Sequence, residues 1–411
     1  MIVQRVEKHF IKQNNLYYPM FCDFAHKAKN LYNHANFLVR NEFVKNNKWL
    51  RYNEMDKMLK TDLKFDDYKQ MPTAQSAQQV LRLLDKNWKS FFIAINDWSK
   101  NKDKYLGRPK LPKYKAKDGK HILILTNQNV KLKDNILVFP KTFCGFIMHP
   151  QFIKHDNFVS FQQVRFIPNY KSFIVELVYN IEVPNKILPD NKRYLSVDIG
   201  LDNLATVVNN TGLKPIIING KGLKSINKYY NKQMSHYRKV AKRMNGRDYT
   251  NRMNNLTMKR NCKINDYMHK ASKYLIDYAI ANNFNTIVIG NNKAWKQKST
   301  MSKIINQSFV GIPHMRFIEM VQYKAQNVGI NVILTEESYT SGTSFLDNEE
   351  PIKANYNKMR RIHRGLFVSN NGIKINADVN GAYQIMKKVF PNAYANGIQG
   401  VVLHPIRVSV A

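Results

Sequence analysis

The chain has 411 residues, with 65 Lys and Arg against 29 Asp and Glu and a formal net charge of +36. An apolar fraction of 44% and an aromatic fraction of 12% exclude a disordered basic tail as the main content, and the length allows two to three domains, each with its own core. Positive charge of this size repels itself unless a polyanion covers it, and nucleic acid is the expected one because each neutralised phosphate releases a condensed counterion. An acidic membrane surface is not expected, since the sequence shows no apolar run near 18 residues, no leader peptide and no lipidation motif. The three cysteines, Cys22, Cys144 and Cys262, are odd in number and far apart, which points to a reducing cytoplasm and to no metal-binding pair.

Residues 1–10 (MIVQRVEKHF) alternate as a short strand. From Tyr18 to Asn101 the pattern is helical. Ala77, Val80, Leu81, Leu84, Trp88, Phe91, Phe92 and Ile95 recur at steps of three and four, and Thr73, after Pro72, is placed to cap their helix. Gln75 and Gln79 share one face of it. Glutamine bonds bidentately to adenine N6 and N7, so this face, with Tyr52 and Lys57, is a candidate reader of an A·T-rich motif; surface solubility is the equal alternative.

Residues 100–120 are packed with Lys, Pro and Gly and end the helical zone. A solvated linker would have this composition. The interleaving of Tyr105, Leu111 and Tyr114 with the charges favours a basic strap along a phosphate backbone, touched by Arg108, Lys110 and Lys113. Short strands are expected at 122–125, 136–139, 158–161, 164–167 and 173–178, forming an antiparallel sheet or small barrel to which residues 1–10 supply a first strand.

The run YLSVDIGLDNLATVV reads as strand, Gly turn and strand in a mixed α/β sheet. Residues 221–283 read as a long basic helical region, a hairpin broken near Asn245-Gly246. Lys224, Lys228, Lys232, Arg238, Lys239, Lys242 and Arg243 recur there with Tyr229, Tyr230 and Tyr237, and 221–247 holds no acid. A plain solvated helix mixes acids in, so phosphate is expected nearby, with tyrosines for base or sugar stacking. Thr286–Gly290 and 331–337 (NVILTEE) are buried strands, 315–328 is a helix, and Asp378 opens a final amphipathic helix.

Against so much positive charge, Asp198 at the end of YLSVD and Asp378 stand out. Alone, the first reads as a turn former before Gly200 and the second as a helix N-cap. Together, in a polyanion-binding α/β domain, they suit a pair of Mg²⁺ ions held about 3.5–4 Å apart by shared carboxylates, stabilising the attacking and leaving oxygens of a phosphodiester.

The segments YLSVDIGLDNLATVV, NTIVIGNN, EESYTS and INADVNGAYQIM resemble the split RuvC-like nuclease of the TnpB proteins, transposon-encoded RNA-guided DNA nucleases related to type V CRISPR effectors. SFFIAINDWSKNKDKYLGRPKLPKYK is similar to the family's bridge from its recognition helices to its wedge barrel. The resemblance implies an α+β multidomain fold: a wedge-type β-barrel from 1–14 and 103–187, a helical recognition domain at 15–102, and an RNase H-like (RuvC) α/β nuclease domain at 188–411. The last would carry a basic helical insertion at 221–283 and a target-nucleic-acid-binding loop at 338–375. The implied function is that of an RNA-guided DNA endonuclease of a bacterial insertion sequence, cytoplasmic and at the nucleoid, one protein copy per transposon-derived guide RNA. It would cleave double-stranded DNA beside a short flanking motif, using two Mg²⁺ ions or Mn²⁺, and the family's motif readers lie in the helical region of Gln75 and Gln79.

By the resemblance, Asp198 matches the first catalytic acid and Asp378 the third. The second, a Glu closing the IVI strand, is replaced by Gly290, with no acid in GNNKAWKQKS beyond it. In an RNase H-like sheet the strand of Gly290 neighbours NVILTEE and runs parallel to it, so their carboxyl ends share an edge. One of Glu336 and Glu337 is then expected to lean over to the same metals, because successive side chains point to opposite faces; Glu337, next to the Ser338-Tyr339 turn, is preferred. The alternative makes both solvated strand-end acids or partners of arginines, and the protein a nuclease-dead RNA-guided DNA-binding repressor. The zinc knuckle that the family often carries after YTS needs two CxxC pairs. Those places hold Ser344, Asp347, Val368 and Asn371, so no zinc is expected, and the loop 342–371 is left to packing or to nucleic acid, met by the run KMRRIHR (358–364) with Arg360 and Arg361.

Overall fold

The computed structural model describes residues 1–62, 64–246, 249–291, 307, 310–363, 365–394 and 402–410. They fall into two units, Met1–Glu182 and Val183–Ala411. Arg364 of the 358–364 run and most of GNNKAWKQKS lie outside the described residues, and so do the expectations about them.

In the first unit, β1 (Ile2–Lys12) leads into three helices, α1 (Tyr18–Asn46), α2 (Tyr52–Lys60) and α3 (Ala74–Lys100). The apolar spacing of α3 buries Ala77, Val80, Leu81, Leu84 and Trp88. Its start is fixed chemically: Thr73 is extended, its Oγ1 accepts from the Ser76 N–H at 3.1 Å, and the Ser76 hydroxyl oxygen accepts from the Thr73 N–H at 3.2 Å. This closes a reciprocal cap of about 1 kcal/mol. Trp88 is fully buried because its Nε1–H finds Asn36 Oδ1 at 3.0 Å, so the indole carries no orphaned donor.

The strands that follow are β2 (Leu123–Thr126), β3 (Lys131–Lys133), β4 (Ile136–Val138), β5 (Ile147–Met148), β6 (Phe158–Asn169) and β7 (Ser172–Glu182). They make an antiparallel sheet in the order β1-β7-β6-β2 and a separate three-stranded β3-β4-β5. Residues 1–10 do join the sheet, with Ile2 opposite Glu182 and Lys12 opposite Ser172. The two strands expected at 158–161 and 164–167 are one. Register shifts at Phe158/Ser160 and Phe161/Gln163 break the two-residue alternation, and a bulge of this kind reads in sequence as a gap. Of the two expected forms the open sheet is seen: its order leaves β1 and β2 as edges among the described residues.

The second unit holds a six-stranded sheet. Its elements are β8 (Tyr194–Ile199), β9 (Asn203–Asn209), β10 (Ile216–Asn219), α4 (Lys221–Asn245), α5 (Asn251–Ala281), β11 (Thr286–Gly290), α6 (His314–Asn327) and β12 (Asn331–Thr335), then β13 (Leu366–Val368), β14 (Lys374–Asn376), α7 (Ala377–Val389) and β15 (Ile406–Val408). The order is β12-β11-β8-β9-β10-β15, with β8, β11 and β12 parallel and β9 antiparallel to both neighbours. One face, with Leu195, Val197 and Ile289, packs on Met268 and Leu275 of α5 and Phe317 of α6. The other, with Tyr194 and Val208, packs on Tyr383 and Met386 of α7 and on Phe345 and Phe367. Asp198 shares the parity of Tyr194 and so belongs to the α7 face. No helix among the described residues is long and apolar enough to cross a membrane.

Candidate active site and nucleic-acid interface

Val197 lies beside Ile289 and Gly290 beside Thr335 in the parallel ladders. Asp198, Gly290 and the exit of β12 therefore line up along one carboxyl edge. Neighbouring strands are about 4.8 Å apart, so an acid leaving β12 must cross the width of β11 to approach Asp198. Glu337 makes that crossing. A Cβ built on Gly290 would stand 2.6 Å from Glu337 Oε2, 3.3 Å from Glu337 Cβ and 2.7 Å from Ile385 Cδ1. The Glu337 carboxylate fills the space that a side chain at 290 would need. Glu336 goes elsewhere: it is 60% exposed, pairs with Lys388 at 3.2 Å and accepts the Ser338 N–H at 3.1 Å.

Asp378 sits in the first turn of α7, whose N-cap is Asn376, with Oδ1 accepting from the N–H groups of Asp378 (3.0 Å) and Val379 (3.2 Å). The capping role is therefore taken by another residue, and Asp378 faces the acids. Its Oδ2 accepts from Asn203 Nδ2 at 2.6 Å, and its Oδ1 is paired with Arg361 at 3.2 Å. One turn on, Gly381 lets α7 approach, since a Cβ there would be 3.1 Å from Asp198 Oδ2.

Burial holds the Asp198 carboxyl well above the usual carboxylate range, reinforced by Glu337 and Asp378 and opposed by Arg361. Burial likewise pushes Glu337 up to about 7, with Glu336 adding and Lys388 opposing. Among the described residues no group of three or more His, Cys, Asp or Glu side chains is gathered so as to hold a metal ion: Asp378 has one oxygen on Arg361 and the other on Asn203. The donor chemistry nevertheless suits a hard divalent cation, because crowded carboxylate oxygens with raised proton affinity are the ligands such ions take.

Arg361 was expected on a nucleic-acid backbone, and the structure puts it beside the acids. Its neighbour Arg360, expected on the same backbone, is engaged within its own loop. At 13% exposure, Arg360 is a strut of the 342–371 loop: its guanidinium bonds Glu349 at 2.8 and 2.9 Å, reaches Asp347 at 3.6 Å and lies over the Phe367 ring. Burial works against the charge of Glu349, but Arg360 and the Ser344 N–H at 2.8 Å outweigh it and hold the carboxyl below its ordinary range. Asp347 accepts the Asn370 N–H at 2.8 Å. Two of the four knuckle places, Ser344 and Asp347, thus belong to an ion-paired network.

The motif-reading candidates separate. The Gln75 amide is engaged within its own unit, bonded to Gln128 and to the Thr126 N–H. Gln79 and Tyr52 line a cavity of about 870 Å³ with Arg51, Arg82, Lys86 and Arg165, and Arg82 lies 4.2 Å over the Tyr52 ring. Lys57 is exposed outside that lining. The strap's backbone is fastened to α1. Asn36 Nδ2 donates to Pro112 O, Asn33 bonds both backbone groups of Lys115, and Lys29 donates to Lys117 O. Arg108, Lys110 and Lys113 remain exposed. Tyr105 is tied to Asp97 and Tyr114 lies under Arg40, so neither ring is wholly free to stack. On α4, Lys228, Lys232 and Arg238 are exposed, whereas Lys224 is ion-paired with Asp202.

Two α+β units, an acid-lined sheet edge and a long basic helix without acids, α4, define a mixed α+β multidomain protein with the means to meet polyanions. Two family models match: the probable transposase family OrfB_IS605 over residues 176–296 and the Cas12f1-like, TNB domain over 314–385. The two matches support a TnpB-like family. No curated protein matches it. Among solved structures it is similar to a cryo-EM structure of the Cas12f1-sgRNA-target DNA complex, at 15% identity over 93% of this chain and 98% of that one, with a TM-score of 0.38. A cryo-EM structure of the CRISPR-Cas12f ternary complex is similar at 15% identity over 89% and 80%, with a TM-score of 0.37.

Proposed function

We propose that this chain is an RNA-guided DNA endonuclease of a bacterial insertion sequence. In this reading residues 188–411 are an RNase H-like (RuvC) nuclease domain, 15–102 the recognition domain, and 1–14 with 103–187 the wedge domain. Its partners are a transposon-derived guide RNA and double-stranded DNA beside a short flanking motif. The observation that carries the reading is Glu337 lying across Gly290 toward Asp198. A dead site has no reason to keep a buried acid in the space of a missing one, because burying a carboxylate is costly.

Asp198, Glu337 and Asp378 would hold Mg²⁺, which supplies Lewis-acid stabilisation of phosphodiester oxygens and an acidified water. Lys388 draws Glu336 aside, so β12 sends one carboxylate rather than two into the site. Asn376 caps α7, and Asn203 fixes one oxygen of Asp378. Arg361, 35% exposed, pairs with the other and would be within reach of an incoming phosphate.

The test is plasmid cleavage by protein purified with its co-expressed RNA, in Mg²⁺ and in EDTA, beside Asp198→Ala, Glu336→Ala and Glu337→Ala. Cleavage that Asp198→Ala and Glu337→Ala abolish and Glu336→Ala keeps is the expected result. Target binding without cleavage in Mg²⁺ or Mn²⁺ would replace this reading with the guided repressor.

A further inference from the structure

We propose that the gap between α4 and α5 is a pocket for unpaired nucleotides, in which tyrosines of α4 stack on bases and cations of α5 hold the phosphates. The cavity has a volume of about 750 Å³ and is walled by Tyr229, Tyr230 and Tyr237 on one side and by Arg252, Lys259 and Lys263 among others on the opposite side, with no acid in its lining. That size falls within the range of roughly 300–1,000 Å³ typical of small-ligand sites, enough for one or two nucleotides and too small for a duplex.

The tyrosines are not equivalent. Tyr230 is a fixed wall: its hydroxyl bonds Thr257 at 3.1 Å, and its ring lies 5.6 Å from the guanidinium of Arg260, itself anchored by Asn227 at 2.8 Å. Tyr229 is 60% exposed and offers an open face. Tyr237 carries the exposed Arg252 at 4.7 Å, a stacked cation that can follow an incoming phosphate while a base takes the ring. A base within a duplex has both faces covered, so rings presented in a cationic cavity select nucleotides that are unstacked. An acidic peptide would match the charge and leave the rings without a partner.

The proposal rests on the guided-nuclease reading only for the source of the strand, guide RNA or displaced DNA. The experiment titrates the full-length protein into short single-stranded RNA and DNA oligonucleotides carrying a central 2-aminopurine, and into the same oligonucleotides in duplex form. Stacking on tyrosine quenches the probe, and anisotropy reports binding separately. Quenching with single strands and not with duplexes is expected; the better-quenched sugar type names the source. Tyr229→Ala should lose most of the quenching and weaken single-strand binding about tenfold, the size of one lost base stack, while Tyr229→Phe keeps both and so controls for folding. Quenching unchanged in both Tyr229→Ala and Tyr237→Ala overturns the proposal, as does competition by polyglutamate equal to that by unlabelled oligonucleotide at the same charge. A parent protein that quenches and never cuts its target in Mg²⁺ sinks the nuclease reading alone.

Discussion

At the carboxyl edge of the sheet the space that a side chain at Gly290 would need is filled from a neighbouring strand, whereas the 342–371 loop is cross-linked from within itself. On the proposed reading the edge must deliver a carboxylate to one point in space, and any backbone whose side chain reaches that point will serve; Glu337 lies where Gly290 leaves room. The loop needs only to be cross-linked. Arg360, Glu349 and Asp347 do that with charge-assisted bonds. Function constrains position, and support constrains only connectivity.

The largest expected effects break the comparison at the edge. Asp198→Ala and Glu337→Ala should each lower cleavage by about 10³-fold or more, as loss of a group acting directly on the reacting atoms does, and Glu336→Ala by no more than about threefold. Gly290→Ala is the finer probe. Its methyl must displace Glu337 or Ile385, and a misplacement of about 1 Å costs on the order of 10²-fold in rate; guide and target binding should be unchanged. Gly290→Glu with Glu337→Ala should cut better than Glu337→Ala alone. If Gly290→Ala cuts as the parent does, the space at 290 is not what positions Glu337.

Next in size is the loop. Arg360→Ala strands Glu349 and Asp347 without their cation and should destabilise the second unit by about 3 kcal/mol, read as a lowered melting temperature. EDTA should leave that temperature unchanged, which separates ionic support from structural metal. A fall of the melting temperature in EDTA alone would mean that a metal shares the role.

Much of this was legible in the sequence because it is local. The three- and four-residue steps of α3 and its Thr73 cap, and the strand–turn–strand of β8 and β9, are patterns within about ten residues of each other. Parity and a parallel register leave one of Glu336 and Glu337 to reach the edge, the Ser338-Tyr339 turn favours Glu337, and the ladder does pair Gly290 with Thr335. What was not legible depends on partners distant in the chain. Arg360 and Arg361 are adjacent and identical in type, yet one braces Glu349 and the other faces Asp378. Lys224 looked like its basic neighbours until Asp202 came beside it. The bulges of β6 hid one strand as two. The open cavity between α4 and α5 had only its tyrosine spacing as a signal.

The smallest effect uses pH to sharpen the contrast between segments held by charge and segments held by backbone bonds. The strap's carbonyls are fastened to α1, and the fastening ends at His121, whose N–H bonds Ala25 O at 2.9 Å. Burial lowers the His121 pKa to about 4 from 6.5, with Lys115 adding to it. A depressed histidine pKa means that the unfolded chain binds the proton more readily, so the stability it confers is complete above 6.5 and is lost as pH falls toward 4. Between pH 7 and 5 that amounts to about 2 kcal/mol, at about 1.4 kcal/mol per pH unit below 6.5. Glu349 is lowered from 4.5, so its contribution is present above 4.5 and fails only below it. Hydrogen exchange corrected for its intrinsic pH dependence should therefore show residues 112–121 loosening between pH 6.5 and 5 while 342–371 stays protected. His121→Gln should flatten the first response and leave the second. If both segments loosen together, the strap is not held through His121, and the distinction between charged and backbone fastening fails there.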